Sequence, residues 1–152
     1  MMPPGLTLGG EPFAVGAAKY LADWPDGPGQ SRIIVRVGLS GLGPPILALI
    51  DTGAPWCLFH RDIAESAGLL DGHGEVVTMH TARGLARGRL ERAVVTLLAD
   101  SEYAASLAVD ATVLVDPDWL GPSFIGYNGL LERIRFAVDP RAEESRFYFG
   151  GI

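Results

Sequence analysis

Between residues 32 and 39 the apolar side chains Ile33, Val35, Val37 and Leu39 recur at every second position, which predicts a half-buried strand. Ile46 to Ile50 is apolar at every position and runs straight into Asp51-Thr52-Gly53. That pattern predicts a strand covered on both faces that ends at a polar turn. Gly41-Leu42-Gly43-Pro44 turns the chain between the two runs, and Leu58-Phe59 predicts a further short strand. From Arg61 to Gly68 the helical spacing of Ile63, Ala64 and Ala67, with glycine as the stop, predicts one short helix. Residues 76–79, 90–98 and 107–115 are rich in β-branched and aliphatic side chains and read as strands. After them come Phe124-Ile125-Gly126, a short helical pattern in Leu130, Leu131 and Ile134, and strands over 135–138 and 146–149 joined through Asp139-Pro140. The sum is an all-β chain, mainly strands with two short helices.

Proline and glycine cluster in Met1 to Gly10 and again in Trp24 to Gly29, so residues 1–30 read as an N-terminal arm and 31–152 as the domain. A chain of 152 residues and 16.1 kDa forms a single core. Its 48% hydrophobic content and mean hydropathy of +0.23 are those of a globular protein with apolar surface to spare for a partner. Twelve basic residues against eighteen acidic ones leave a net charge of -6, a field that repels phosphate backbones, so no nucleic-acid partner is expected. The first twenty residues carry neither a basic segment nor a continuous apolar one, and Ile46–Ile50 is too short to span a bilayer. A cytoplasmic protein with no membrane partner is the expectation.

Cys57 is the only cysteine, which excludes an intrachain disulfide and a thiolate metal cage. It reads as a small buried apolar residue rather than a nucleophile. Gly72-His73-Gly74 lacks the third glycine of a dinucleotide loop. His60, His73 and His80 have no carboxylate or cysteine at zinc-like spacing, although a hairpin would let His73 and His80 meet. No cofactor and no metal are expected.

What remains is Asp51-Thr52-Gly53-Ala54, an acid at the mouth of an apolar strand. Taken alone, the tripeptide reads first as a turn whose carboxylate accepts local N–H groups. The order of elements adds more: apolar strand, Asp-Thr-Gly-Ala, strand, short helix, Gly-rich hairpin, strands, then Phe124-Ile125-Gly126 and Asn128 before a short helix. Over residues 32–149 this order resembles the retropepsin-like aspartic proteases, in which the acid's loop lies beside a late apolar-apolar-Gly strand in a ψ-shaped motif. The resemblance implies an acid-protease barrel with one lobe per chain. Asp51 would be the catalytic acid, and Thr52, Gly53 and Ala54 the active-site loop. Thr52 would bond across a dimer axis and Gly53 would admit the substrate backbone, while Ile125 and Gly126 support the loop. Two departures stand out. Retroviral members have Gly-Arg-Asn or Gly-Arg-Asp where this chain has Gly126-Tyr127-Asn128, and an acid where it has Pro55, so the Arg–carboxylate pair that braces their dimer is not carried here.

Aspartic peptide hydrolysis needs two carboxylates sharing one proton, and the chain has one such triplet. A homodimer that supplies Asp51 twice completes the site, giving an aspartic endopeptidase that acts on an extended peptide or protein. The flap is expected over Met79 to Leu90, with Arg83, Gly84, Leu85 and Ala86 at the substrate and Gly84 and Gly88 as hinges. Arg83, Arg87 and Arg89 either favour acidic substrates or guard an exposed edge. Leu47, Leu49, Trp56 and Phe124 serve either the core or a specificity pocket. Two rival readings are a catalytically inactive protease-like dimer that binds extended peptides, and a module completed by a different subunit's acid.

Overall fold

The computed structural model describes residues 5–25, 32–100, 104–141 and 145–152. The two expected strands form as β4 (Ile34–Leu39) and β5 (Ile46–Ile50), which pair antiparallel from Ile34 opposite Leu49 to Val37 opposite Ile46. β6 (Cys57–Leu58) follows the Asp51 loop and leads into α1 (Arg61–Ser66). The His60 side chain caps that helix, its Nδ1 accepting from the Asp62 N–H, and Gly68 leaves it with φ 75. β7 (Val76–Thr81) and β8 (Gly84–Leu97) form a long hairpin, and β8 continues antiparallel to β9 (Leu107–Val115).

β10 (Phe124–Ile125) inserts between β5, to which it is parallel, and β6, to which it is antiparallel. The order β4-β5-β10-β6-β9-β8 closes on itself because Val37, Gly38 and Leu39 of β4 pair with Leu97, Thr96 and Val95 of β8. Six strands therefore make a barrel, with β7 added outside β8. The barrel is filled by Val35, Val37, Leu39, Val95, Leu97, Val113 and their neighbours. A second, smaller cluster of Leu58, Met79, Ala86, Leu114, Trp119 and Phe124 lies between the hairpin and β10.

The pattern at Leu130, Leu131 and Ile134 is a three-residue 3-10 turn, Leu131–Arg133, and not an α-helix; Ile134 already opens β11 (Ile134–Asp139). β11 pairs with β12 (Arg146–Gly151), and β12 pairs with β3 (Gly16–Lys19). Within the segment read as an arm, β3 is thus a full member of a three-stranded sheet, and Ala17 and Phe147 in it are wholly buried. β1 (Leu6–Leu8) and β2 (Glu11–Ala14) precede it as a small hairpin. Residues 1–4 and 26–29 of the two Pro/Gly clusters lie outside the described residues, as do 142–144 after the Asp139-Pro140 turn. Among the described residues no helix is long and apolar enough to cross a membrane.

Candidate active site

β5 delivers Asp51 to the end of the barrel, where the Asp51 N–H donates to the Ile125 carbonyl at 2.9 Å. The loop then folds on itself: the Gly53 N–H donates to Asp51 Oδ1 at 3.0 Å and the Ala54 N–H to the Asp51 carbonyl at 3.1 Å. The local turn bonds that a purely structural aspartate would make are therefore present. They engage one carboxylate oxygen, while the residue stays half-exposed beside an exposed Thr52 and Gly53.

Ile125 and Gly126 lie beside the Asp51 loop. Phe124 and Ile125 pair in parallel with Leu49 and Ile50, and the Gly126 N–H donates to Cys57 Sγ at 3.4 Å. The chain after Gly126 crosses back over the acid's loop, with the Tyr127 N–H donating to the Ala54 carbonyl and the Asn128 N–H to the Pro55 carbonyl, both at 2.8 Å. The two positions that depart from the retroviral pattern, Pro55 and Tyr127, thus take part through their backbones. A β-carbon at Gly126 would stand 2.4 Å from the Trp56 carbonyl carbon, so the crossing is possible only with glycine. Burial pushes the Cys57 thiol up from 9.0 to about 12, against the opposing Gly126 hydrogen bond, which makes it a buried apolar group and no nucleophile.

A cleft of about 290 Å³ opens over this loop, lined by Asp51, Gly53, Ala54 and Leu49 on the barrel side and by His80, Thr81, Ala82 and Arg83 of the hairpin tip above. Trp119, Pro122, Phe124 and Arg32 complete it. The tip is stiffened by Thr81, whose hydroxyl donates to the Gly84 carbonyl and accepts from the Arg83 N–H. Of the four expected flap residues, Arg83 lines the cleft and Gly84 turns the chain at φ 116. Leu85 is 62% exposed, and Ala86 is sealed in the second cluster.

Gly88 is not a hinge at the tip. It lies inside the β7–β8 ladder opposite Val77, and a β-carbon there would stand 1.9 Å from the Val115 carbonyl oxygen. Beside it the buried Asp116 carboxylate accepts from the Arg87 N–H at 3.0 Å and from the Asp118 N–H at 2.8 Å. The base of the hairpin is therefore fastened to the end of β9, and only the segment nearer the tip has room to move.

Of the residues left between core and cleft by the sequence, Leu49 and Phe124 both pack in the second cluster and line the cleft. Trp119, Pro122 and Arg32 are cleft residues that sequence reasoning missed, and His80, inside the expected flap, lines the cleft without having been singled out for it. His80 alternates with the buried Met79 along β7, a signal legible only once β7 is known to run to Thr81. His73 precedes β7 while His80 pairs with Leu85, so the two histidines do not face each other across the hairpin. Among the described residues no group of metal-ligating side chains is assembled.

No family model and no curated protein matches the chain. Among solved structures, a retropepsin-like aspartic protease from Rickettsia conorii matches with a TM-score of 0.55 at 19% identity, over 90% of this chain and 99% of that one. The fold is retropepsin-like. In this one-lobed barrel the Asp51 loop lies in the cleft with the hairpin tip above it.

Proposed function

We propose that the protein is a homodimeric aspartic endopeptidase in which Asp51 from each subunit forms the catalytic dyad. The observation that carries this reading is the cleft in which Asp51 lies beneath the hairpin tip, at the end of a ψ-shaped pairing with Phe124 and Ile125. Among the described residues Asp51 is the only carboxylate lining that cleft, so one chain has half of the acid–base pair. A twofold axis beside the exposed Thr52 and Gly53 supplies the other half.

In such a pair the ionised carboxylate takes a proton from water as it attacks the peptide carbonyl. The protonated partner donates to the carbonyl oxygen, and the tetrahedral intermediate collapses with proton transfer to the leaving nitrogen. The Gly53 N–H bond to Oδ1 holds each carboxylate near the loop plane, and the hairpin tip closes over an extended substrate, adding strand-like hydrogen bonds and excluding water.

The deciding experiment is cleavage of a peptide library by the wild type and by Asp51→Asn, with solution mass measured alongside. Asn keeps the Oδ1 acceptor for Gly53, so the variant should fold and dimerise while cleavage disappears. Cleavage that survives in Asp51→Asn, or wild-type cleavage by a species of 16.1 kDa, refutes the proposal. A wild-type dimer that binds peptides and cleaves none establishes the non-catalytic alternative.

A further inference from the structure

Val115 is the last residue of β9 paired with β8, opposite Arg89. Two residues nearer the hairpin tip the Arg87 N–H has no strand beside it, because the chain leaves the ladder through Asp116-Pro117. The Asp116 carboxylate stands in for the missing strand and accepts from that N–H at 3.0 Å. Its other oxygen accepts from the Asp118 N–H at 2.8 Å, and its backbone carbonyl from the Trp119 N–H at 3.2 Å. One buried residue therefore holds the hairpin on one side and the loop that carries Trp119 on the other.

Both of those segments reach the cleft. The hairpin ends in His80, Thr81, Ala82 and Arg83, which roof it, and Trp119 with Pro122 forms a side wall. Trp119 is fixed in turn to what lies below. Its carbonyl accepts from the Arg61 N–H at 2.8 Å, its indole N–H donates to the Pro122 carbonyl at 3.0 Å, and its ring stands edge-on to Phe124 with centroids 6.0 Å apart. Phe124 pairs with Leu49 on the strand that delivers Asp51. Met79 and Ala86 also pack in one cluster with Trp119 and Phe124, but apolar contact is non-directional. Hydrogen bonds from fixed backbone donors to a carboxylate are short and oriented, so they set a distance.

We propose that Asp116 is a positioning residue that sets the gap between the hairpin roof and the Trp119 wall, so that the grip of the cleft on an extended peptide depends on it. The proposal rests on the peptide-cleft reading above and concerns binding; the chemistry stays with Asp51.

The test compares Asp116→Asn with Asp118→Ala, which removes an exposed carboxylate two residues away and keeps the N–H that Asp116 accepts. The Asn amide has one acceptor oxygen, so it keeps one of the two donors and the tie between roof and wall is cut. The probe is the library peptide that binds Asp51→Asn best. Its Kd by fluorescence anisotropy, with Asp51→Asn added to each variant, should rise about tenfold or more in Asp116→Asn, as for one hydrogen bond to a charged group. In cleavage, KM should rise by the same factor while kcat stays within about threefold, and Asp118→Ala should match the wild type in all three. A merely structural Asp116 would lower kcat with the folded fraction and leave KM and Kd unchanged. That result overturns the proposal, as does an equal rise in Asp118→Ala. Should Asp116→Asn fail to fold, amide exchange in Asp51→Asn alone decides: saturating peptide should slow exchange at Arg87 and Asp118 together, and protection confined to one of them overturns the proposal. If the wild type cleaves nothing while the Kd values follow the expected pattern, the positioning role stands and the endopeptidase reading falls. Absence of binding to every peptide overturns both.

Discussion

Replacing Gly126 by alanine tests the ψ-shaped crossing directly. The added methyl would stand 2.4 Å from both the carbonyl carbon and the oxygen of Trp56 and 2.9 Å from the Ala54 carbonyl oxygen. All three are backbone atoms, so no side chain can swing aside; either the Ala54–Trp56 segment or the Gly126 strand must move by roughly an ångström. Overpacking of this kind costs about 1–3 kcal/mol. The movement also strains the bonds from the Tyr127 N–H to Ala54 and the Asn128 N–H to Pro55, each 2.8 Å long, and each such bond contributes about 1 kcal/mol. A total loss of about 3–5 kcal/mol follows, which for a chain of this size lowers the thermal midpoint by about 6–20 °C. The assay is unfolding followed by circular dichroism, paired with peptide cleavage well below both midpoints. Cleavage should fall further than the folded fraction, because the displaced segment carries the Asp51 loop. Gly43→Ala is the matched control, since a β-carbon there meets nothing within 4 Å, and it should change stability by less than about 1 kcal/mol. If the two alanine variants melt together and cleave alike, the crossing is not the element that positions Asp51.

Gly88→Ala should destabilise by about 2 kcal/mol or more in urea unfolding, because its methyl meets the Val115 carbonyl; a neutral effect would restore Gly88 as a free hinge. Asp116→Asn puts an amide N–H against the Arg87 N–H or the Asp118 N–H, and amide exchange at one of the two should speed up by about tenfold, with exchange unchanged at both as the refuting result. For Cys57, the folded state holds its proton from 9.0 up to about 12 while the unfolded chain loses it near 9.0. The thiol's contribution is therefore complete below pH 9.0 and is lost as pH rises through about 12, a change on the order of 4 kcal/mol. The stability gap between wild type and Cys57→Ala should close over that window, and a gap that is flat in pH would contradict the burial argument.

Strands were legible where branched and aliphatic residues alternate or run together, as over 34–39, 46–50 and 107–115, because the sequence signal and the tertiary demand coincide there. β3 gave no such signal. Gly16-Ala17-Ala18 is a strand because the Phe149 ring lies so close that a β-carbon at Gly16 would stand 2.2 Å from it, a fact of packing that no local pattern encodes. The order of two separated motifs was enough to place Asp51 beside Ile125. The cleft's upper wall was only half visible, since Trp119 and Arg32 reach it from loops whose course depends on the closed barrel. The sequence also broke β8 near Leu90, where the apolar positions change phase: Ala86 is buried on the even side, and Ala93, Val95 and Leu97 on the odd. One uninterrupted strand of fourteen residues passes from one core to the other at that point, with no slip in register.

The two-phase course of β8 restricts how its length can vary through evolution or engineering. A single residue inserted between Leu85 and Arg92 would exchange the two faces downstream, turning Arg92 and Val94 inward and Ala93 and Val95 out to solvent. Changes in hairpin length are therefore admissible only at Ala82-Arg83, where no ladder partner is lost. Variation in length is thus channelled to the two residues that roof the cleft, so that related chains can differ in reach over their ligand while the barrel beneath stays in frame.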